Sequence, residues 1–157
     1  MDAGPLASAL RQVKECFDRS TACLEEVDSA FAPVDGAFTT AQQVAHVAQT
    51  IDWFLDGAFR PEGFDLDFAT HQAAIGGVTS LRAAREWLDR STARAIDLFS
   101  SKAPEELAAP IAAGPIMGGV PRSAIVSSIA DHTAHHRGAL TVYARLLGRQ
   151  PALPYGG

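Results

Sequence analysis

Four segments of the chain repeat apolar residues at the spacing of an α-helix, and this pattern constrains the fold more than any other feature. None of the chain alternates apolar and polar residues convincingly, as a half-buried β-strand would. The predicted helices run approximately over Pro5–Phe31, Thr39–Arg60, Thr79–Lys102 and Pro121–Leu147. Each has one apolar face, and four such faces are buried most simply against one another. We therefore predict an all-α fold, a four-helix bundle.

A long connection, residues 61–78, separates the second and third predicted helices. It contains Pro, Gly and acidic residues, which are typical of an irregular segment. A connection of this length can cross over the bundle and leave those two helices parallel. Residues 103–121 form a second irregular stretch. Thr39 and Gln42 match a capping box, and Gly148 suits the left-handed position after a helix end. We expect residues 1–157 to form a single domain.

The charge of the chain argues against two classes of partner. The 13 Lys and Arg and 18 Asp and Glu give a net charge of −5 without a basic cluster, so we expect neither nucleic-acid nor anionic-membrane binding.

No apolar run approaches the roughly 20 residues that span a bilayer. Residues 1–17 lack a secretory-signal pattern. Cys16 and Cys23, the two cysteines, are predicted to be reduced because seven helical residues place them beyond disulfide reach. These features favour a cytoplasmic location.

The stretch DHTAHHRGAL carries three of the five histidines of the chain. On a helix, positions four apart share a face, so His132 and His136 both fall on the apolar stripe that should point into the bundle. His135 falls at the edge of that stripe. Two buried imidazoles can either be hydrogen-bonded core residues or bind one metal ion together, and their spacing allows both interpretations. We favour the metal.

A facing helix would have to supply a third ligand, and His46 in the second helix is the candidate. Small or apolar residues flank it in QQVAHVAQT. His71 lies in the acidic connection, where we expect it to be solvated. The sequence therefore predicts a metal site made of His46, His132 and His136.

Two known metal-site classes do not match this pattern. A zinc-protease motif requires Glu directly after the first histidine, where this chain has Thr133. Di-iron bundles require Glu three residues before a histidine, where this chain has Ile129 and Thr133. Three neutral imidazoles around one divalent ion would leave a position open for water or substrate. Zinc, nickel, iron and copper all accept imidazole ligands, with zinc or nickel preferred here.

The segments HTAHHRGALTVYARLLG and PALPYGG, together with the position of His46, resemble the DinB/YfiT-like superfamily. The resemblance covers essentially the whole chain, and its most specific part is H-x-x-H-H-R-G. It implies a four-helix bundle with a long crossover, often dimeric, that holds one divalent metal through His46, His132 and His136. His135 matches a position that is not usually a ligand. One departure is Ala139, where the family often has Gln.

The resemblance implies two main kinds of reaction. Members of the superfamily include metal-dependent hydrolases and S-transferases or isomerases that use low-molecular-weight thiols. We therefore expect a small-molecule substrate, with a low-molecular-weight thiol as the candidate, and a homodimer. The alternative is a noncatalytic bundle that binds a ligand or dimerises and keeps a vestigial or structural metal site. Arg137 either meets a carboxylate near the site or is a solvated charge.

Overall fold

The computed structural model describes residues 3–155, and within that range it contains helices and no β-strand, apart from one isolated bridge between Pro110 and Pro121. The six α-helices are α1 (Ala3–Thr21), α2 (Thr40–Phe59), α3 (Phe68–Gly76), α4 (Leu81–Ser101), α5 (Pro104–Ala108) and α6 (Ile125–Leu146). The four long ones, α1, α2, α4 and α6, pack around a common apolar core. The predicted all-α four-helix bundle is confirmed.

The helices α2 and α4 are parallel neighbours, as a crossover requires. Asp52 in the second half of α2 accepts a hydrogen bond from Trp87 Nε1 in the first half of α4, at 2.9 Å. One helical turn or more further on in both helices, the rings of Phe59 and Phe99 lie 6.3 Å apart. Contacts that advance in the same direction along two helices define a parallel pair, so the predicted crossover is present.

The other neighbouring pairs follow from the side-chain contacts between helices. Lys14 pairs with Asp89 while Thr21 bonds Arg85, so α1 and α4 are antiparallel. Gln43 bonds Tyr143 while His46 lies against His132, so α2 and α6 are antiparallel as well. The helix α1 packs mainly on α4 and α6. The consecutive pairs α1–α2 and α4–α6 are therefore diagonal in the bundle, whereas α2 and α4 are neighbours. This arrangement makes α2 and α6 neighbours, which brings together the segments that carry the histidines.

Three helix ends are capped, and the caps at Thr39 and Gly148 were predicted. The Thr39 hydroxyl accepts from Gln42 N at 3.2 Å, and the Gln42 side chain accepts from Thr39 N at 3.0 Å. Ser80 caps α4 through Ala83 N. Gly148 follows α6 with φ of +75°, the left-handed conformation that glycine adopts at little cost. The predicted start at Pro121 is followed by a 3-10 turn, residues 122–124, that leads into α6.

The predicted first helix is too long, because α1 ends at Thr21 rather than Phe31. Val27, an apolar residue within the predicted range of this helix, is 81% exposed. The polar side chains of this segment cap another helix instead: Ser29 Oγ and Glu26 Oε2 accept from the first two backbone amides of α4, at 2.9 and 2.7 Å. Capping α4 is an alternative use of these residues that helix periodicity does not reveal.

The connection between residues 61 and 78 is also different from its prediction, because it contains the helix α3. Asp67 caps this helix by accepting from Thr70 N at 3.1 Å. Within α3 only Ile75 is fully buried, so the helix has no apolar stripe to identify it in the sequence. His71 lies in α3 and is half-buried, not solvated as predicted.

Two expectations from composition agree with the structure. Cys16 and Cys23 are both free thiols. None of the helices within residues 3–155 is long and apolar enough to cross a membrane.

Candidate metal centre

The three predicted ligands meet at the interface of α2 and α6. One ring nitrogen from each of His46, His132 and His136 lies within 4.8 Å of the other two. His46 Nε2 and His132 Nε2 are 3.2 Å apart. Two nitrogens bound to one tetrahedral ion at 2.0–2.1 Å would be about 3.3 Å apart, so this spacing fits a shared ion. The structure thus brings together the full predicted set.

A chain of hydrogen bonds holds His136 in place. Its Nδ1 lies 2.6 Å from Gln43 Oε1, and Gln43 Nε2 donates to the Tyr143 hydroxyl at 3.2 Å. The Tyr143 hydroxyl in turn donates to the backbone carbonyl of Phe38 at 2.9 Å. Because the amide oxygen of Gln43 accepts, the hydrogen of His136 sits on Nδ1 and Nε2 keeps its lone pair. This nitrogen is then available as a ligand.

Burial keeps the three imidazoles neutral at pH 7. Loss of solvent, with a smaller effect from the neighbouring imidazoles, lowers the pKa of His132 to about 4 and that of His136 to about 3. Burial likewise lowers the pKa of His46, with a smaller effect from His135. Neutral imidazoles have free lone pairs, which is the form that binds a divalent cation.

One buried atom of the cluster lacks a partner. Within the described part of the chain, His46 Nδ1 is buried and makes no hydrogen bond. A buried polar atom without a partner costs folding free energy and is expected to have a functional reason or a bound molecule beside it. The donor set and its neutral form fit a divalent metal ion bound through His46 Nε2, whereas His46 Nδ1 lies on the other side of the ring and is not part of that fit.

The neighbouring residues of the signature lie outside the cluster. His135 is exposed, with its ring against that of His136 at 4.9 Å. The Arg137 guanidinium lies 6.0 Å from the ring centre of Tyr155, in the C-terminal segment. Neither residue contributes to the group of three ligand nitrogens.

Sequence reasoning missed Gln43 and Tyr143. Gln43 precedes His46 by three residues and therefore shares its helix face, which is the one signal that could have pointed to it. Tyr143 lies on the apolar stripe of α6, a position that by itself predicts only a core residue. Its hydrogen bond to Gln43 depends on how α2 and α6 pack.

A cleft opens beside the histidine cluster, between α2, α3 and α6. Its volume is about 270 Å³. The residues that line it are His46, Gln49, Thr50, Trp53, Phe54, Phe68, His71, Gln72, Ile75 and His132. Two members of the histidine cluster thus form part of the wall of a small, largely apolar cleft.

Known proteins share the sequence pattern and the fold. The sequence profile of the DinB family matches residues 28–157. YfiT from Bacillus subtilis, described as a probable metal-dependent hydrolase with an unusual four-helix bundle topology, superposes with a TM-score of 0.70 at 13% identity, over 94% of this chain and 89% of its own. A DinB-like protein from Bacillus cereus ATCC 10987 superposes with a TM-score of 0.72 at 19% identity, over 97% of this chain and 95% of its own. At these identities the two structures show a common fold. No curated protein matches the chain.

Proposed function

Because this chain belongs to the DinB family, we propose that it is a metal-dependent enzyme in which His46, His132 and His136 hold one divalent ion and leave a coordination position open to the cleft. The observation that carries this proposal is the group of three imidazole nitrogens within 4.8 Å of one another. When bound, such an ion can lower the pKa of a coordinated water or stabilise a substrate thiolate. Zinc or nickel is the proposed metal, since both suit imidazole ligands.

The side chains around the three histidines have their own parts in this proposal. Gln43 orients His136 and fixes its tautomer, as outer partners of metal-bound histidines commonly do. The apolar lining of the cleft excludes water from a bound substrate. Hydrolysis is the first reaction to test, because the similar YfiT is described as a probable metal-dependent hydrolase. Transfer to a low-molecular-weight thiol is the second, on the strength of the family resemblance.

Metal analysis of tag-free protein tests the binding part of the proposal. We expect about one divalent ion per chain in the wild type, and a loss of at least about tenfold in affinity in His132→Ala. His135→Ala is the matched control, because His135 is adjacent, exposed and outside the cluster. Equally negligible metal in wild type and His132→Ala would contradict the proposal.

Turnover is tested on the same preparations. Metal-stripped and reloaded protein are compared on a panel of small esters and amides, and on thiols with electrophilic acceptors. We expect activity that follows metal content. Full metal occupancy without turnover on any of these substrates would favour the noncatalytic alternative. Homodimerisation, with a second copy of the chain, stays a prediction, and sedimentation velocity tests it.

A further inference from the structure

The centre of the bundle contains a small cavity, separate from the cleft beside the histidines. All four long helices contribute to its wall, which includes Phe17 of α1, Ile51 of α2, Thr92 of α4 and Thr133 of α6. The volume of this cavity is about 10 Å³. That volume is at the lower limit of the space that one water molecule needs, so a larger ligand does not fit.

Two residues of this wall are polar and almost fully buried. Thr92 is 6% exposed and Thr133 is 3% exposed. Within the part of the chain that the structure describes, neither Thr92 Oγ1 nor Thr133 Oγ1 has a hydrogen-bond partner in the protein. A buried hydroxyl without a partner costs folding free energy, and two such hydroxyls around one cavity indicate a molecule that pairs with both.

Neither side chain uses the usual partner of a buried threonine in a helix. Such a hydroxyl commonly donates to the backbone carbonyl four residues earlier. Thr21 on α1 does so, with its Oγ1 at 2.9 Å from the carbonyl oxygen of Phe17. Within residues 3–155, the hydroxyls of Thr92 and Thr133 make no such bond. Both therefore keep their full capacity to donate and to accept.

The shape of threonine keeps both hydroxyls close to the cavity. The oxygen and the methyl group are attached to the same Cβ, so a threonine that lines a water-sized cavity has its hydroxyl beside that space or one χ1 rotation away from it. The third polar side chain of the wall, Lys14, has carboxylate partners, since its ammonium pairs with Asp18 and, at 2.7 Å, with Asp89. The unpaired polar groups of this wall are thus the two hydroxyls.

The cavity lies between two helices that have other main partners. The helices α4 and α6 are diagonal in the bundle, and each packs mainly on α1 and α2. Thr92 and Thr133 belong to this diagonal pair. A buried water makes two to four hydrogen bonds, and two hydroxyls on opposite helices provide the minimum number. One water between them connects α4 to α6 through the centre of the bundle.

We propose that this cavity is a binding site for one structural water molecule, held by the hydroxyls of Thr92 and Thr133. The water satisfies both hydroxyls within a mainly apolar wall and joins the diagonal helices. The site is independent of the proposed function, because His46, His132 and His136 do not line the cavity.

A high-resolution crystal structure of the wild-type protein tests the proposal directly. We expect one ordered water with its oxygen about 2.7–2.8 Å from both Thr92 Oγ1 and Thr133 Oγ1. Thr133→Ser keeps the hydroxyl and should retain this water. Thr133→Val has the shape of threonine without the hydroxyl and should lose it. A wild-type cavity without ordered density, or a water that persists in Thr133→Val, would overturn the proposal.

Chemical unfolding provides a second measurement on the same variants. Thr92→Val and Thr133→Val should each raise the ratio of unfolded to folded protein by about fivefold or more, because the remaining hydroxyl loses its partner as well. Because both substitutions release the same water, the double variant should change the ratio by less than the product of the two single effects.

Ser20→Ala is the matched control for the unfolding measurements. Among the described residues the Ser20 hydroxyl is also buried and without a partner, but Ser20 does not line the cavity. Its removal should leave the ratio of unfolded to folded protein unchanged or lower it. If the cavity holds no water, the two valine variants should behave in the same way as this control. That result, or single effects that multiply fully in the double variant, contradicts a shared water.

Discussion

The two walls of the cleft are built differently. His46 and His132 belong to bundle helices whose interface also contains the buried hydrogen-bond chain from Tyr143 through Gln43. The opposite wall, α3, has one fully buried side chain, Ile75, and packs mainly against α2. The first wall can keep ligand nitrogens in a fixed arrangement, while the second can change its residues without disturbing the core. We therefore expect metal binding to depend on the first wall, and the shape of the cleft to depend on both.

The largest expected effect is a loss of stability in acid. It should originate in the wall formed by α2 and α6, which carries the three histidines and is called the histidine wall below. Burial lowers the pKa of His132 to about 4 and that of His136 to about 3, against about 6.5 in an unfolded chain. Below about pH 6.5 the unfolded chain therefore binds more protons than the folded one. In metal-free protein, the free energy of unfolding should fall as the pH is lowered, by up to about 1.4 kcal/mol per pH unit for each of these histidines, until the pH reaches its folded pKa. Urea unfolding between pH 7 and pH 4.5 measures this.

His132→Gln provides the control for this pH dependence. It removes one titrating imidazole, so the slope of unfolding free energy against pH should decrease by one histidine's share, again about 1.4 kcal/mol per unit. A slope identical to that of the wild type would contradict the assignment of the effect to this wall.

A matched pair of core truncations compares the walls directly. Ile129 on α6 is 1% exposed and Ile75 on α3 is 2% exposed. Ile129→Ala should cost about 2–5 kcal/mol of global stability, as deletions in a close-packed core do. Ile75→Ala should cost clearly less, because α3 can detach while the bundle stays folded. Chemical unfolding gives the global values, and hydrogen exchange of α3 amides reports the detachment. Equal global losses would show that α3 is part of the cooperative core.

Removing the hydrogen-bond partner of His136 should weaken metal binding by about tenfold to a hundredfold. Gln43→Leu removes this amide and replaces it with an apolar side chain of similar size at the same buried position. Gln72→Leu is the matched control, since Gln72 lines the cleft from α3 and is exposed. Isothermal titration with zinc measures both. Unchanged affinity in Gln43→Leu would mean that the orientation of His136 does not depend on this amide.

The smallest expected effect concerns the cap of α3. Asp67→Ala removes the side chain that accepts from Thr70 N at 3.1 Å. The loss of an N-cap destabilises a helix by about 1 kcal/mol, and here that cost should fall on α3 alone. Faster amide exchange in α3, with an unchanged midpoint of global unfolding, is the expected result. A shift of the global midpoint would place α3 within the main unfolding unit.

The three histidines of the histidine wall could be predicted from the sequence because helical spacing and apolar neighbours coincide there. His132 and His136 are four residues apart on an otherwise apolar stripe, and His46 lies among small or apolar residues on another. The bundle itself follows from the same stripes. Helical periodicity therefore predicted the elements that provide this wall and the three residues that meet in it.

The other features depend on contacts between distant segments. The helix α3 has no apolar stripe and forms around one cap and Ile75. The end of α1 reflects the use of Glu26 and Ser29 as caps for α4, more than fifty residues away. Gln43 reaches His136 only once α2 and α6 have packed. None of these contacts leaves a local pattern that periodicity can detect.

The diagonal placement of α1 with α2, and of α4 with α6, has a consequence for how the chain folds. Neither α1 with α2 nor α4 with α6 can form a helical hairpin that is stable by itself, because their main partners lie elsewhere in the sequence. Folding must therefore close long loops before it gains much contact energy, which slows it relative to an up-and-down bundle. During synthesis α6 emerges last, and it supplies two of the three clustered histidines. The site should thus assemble late in folding, when α6 packs against α1 and α2.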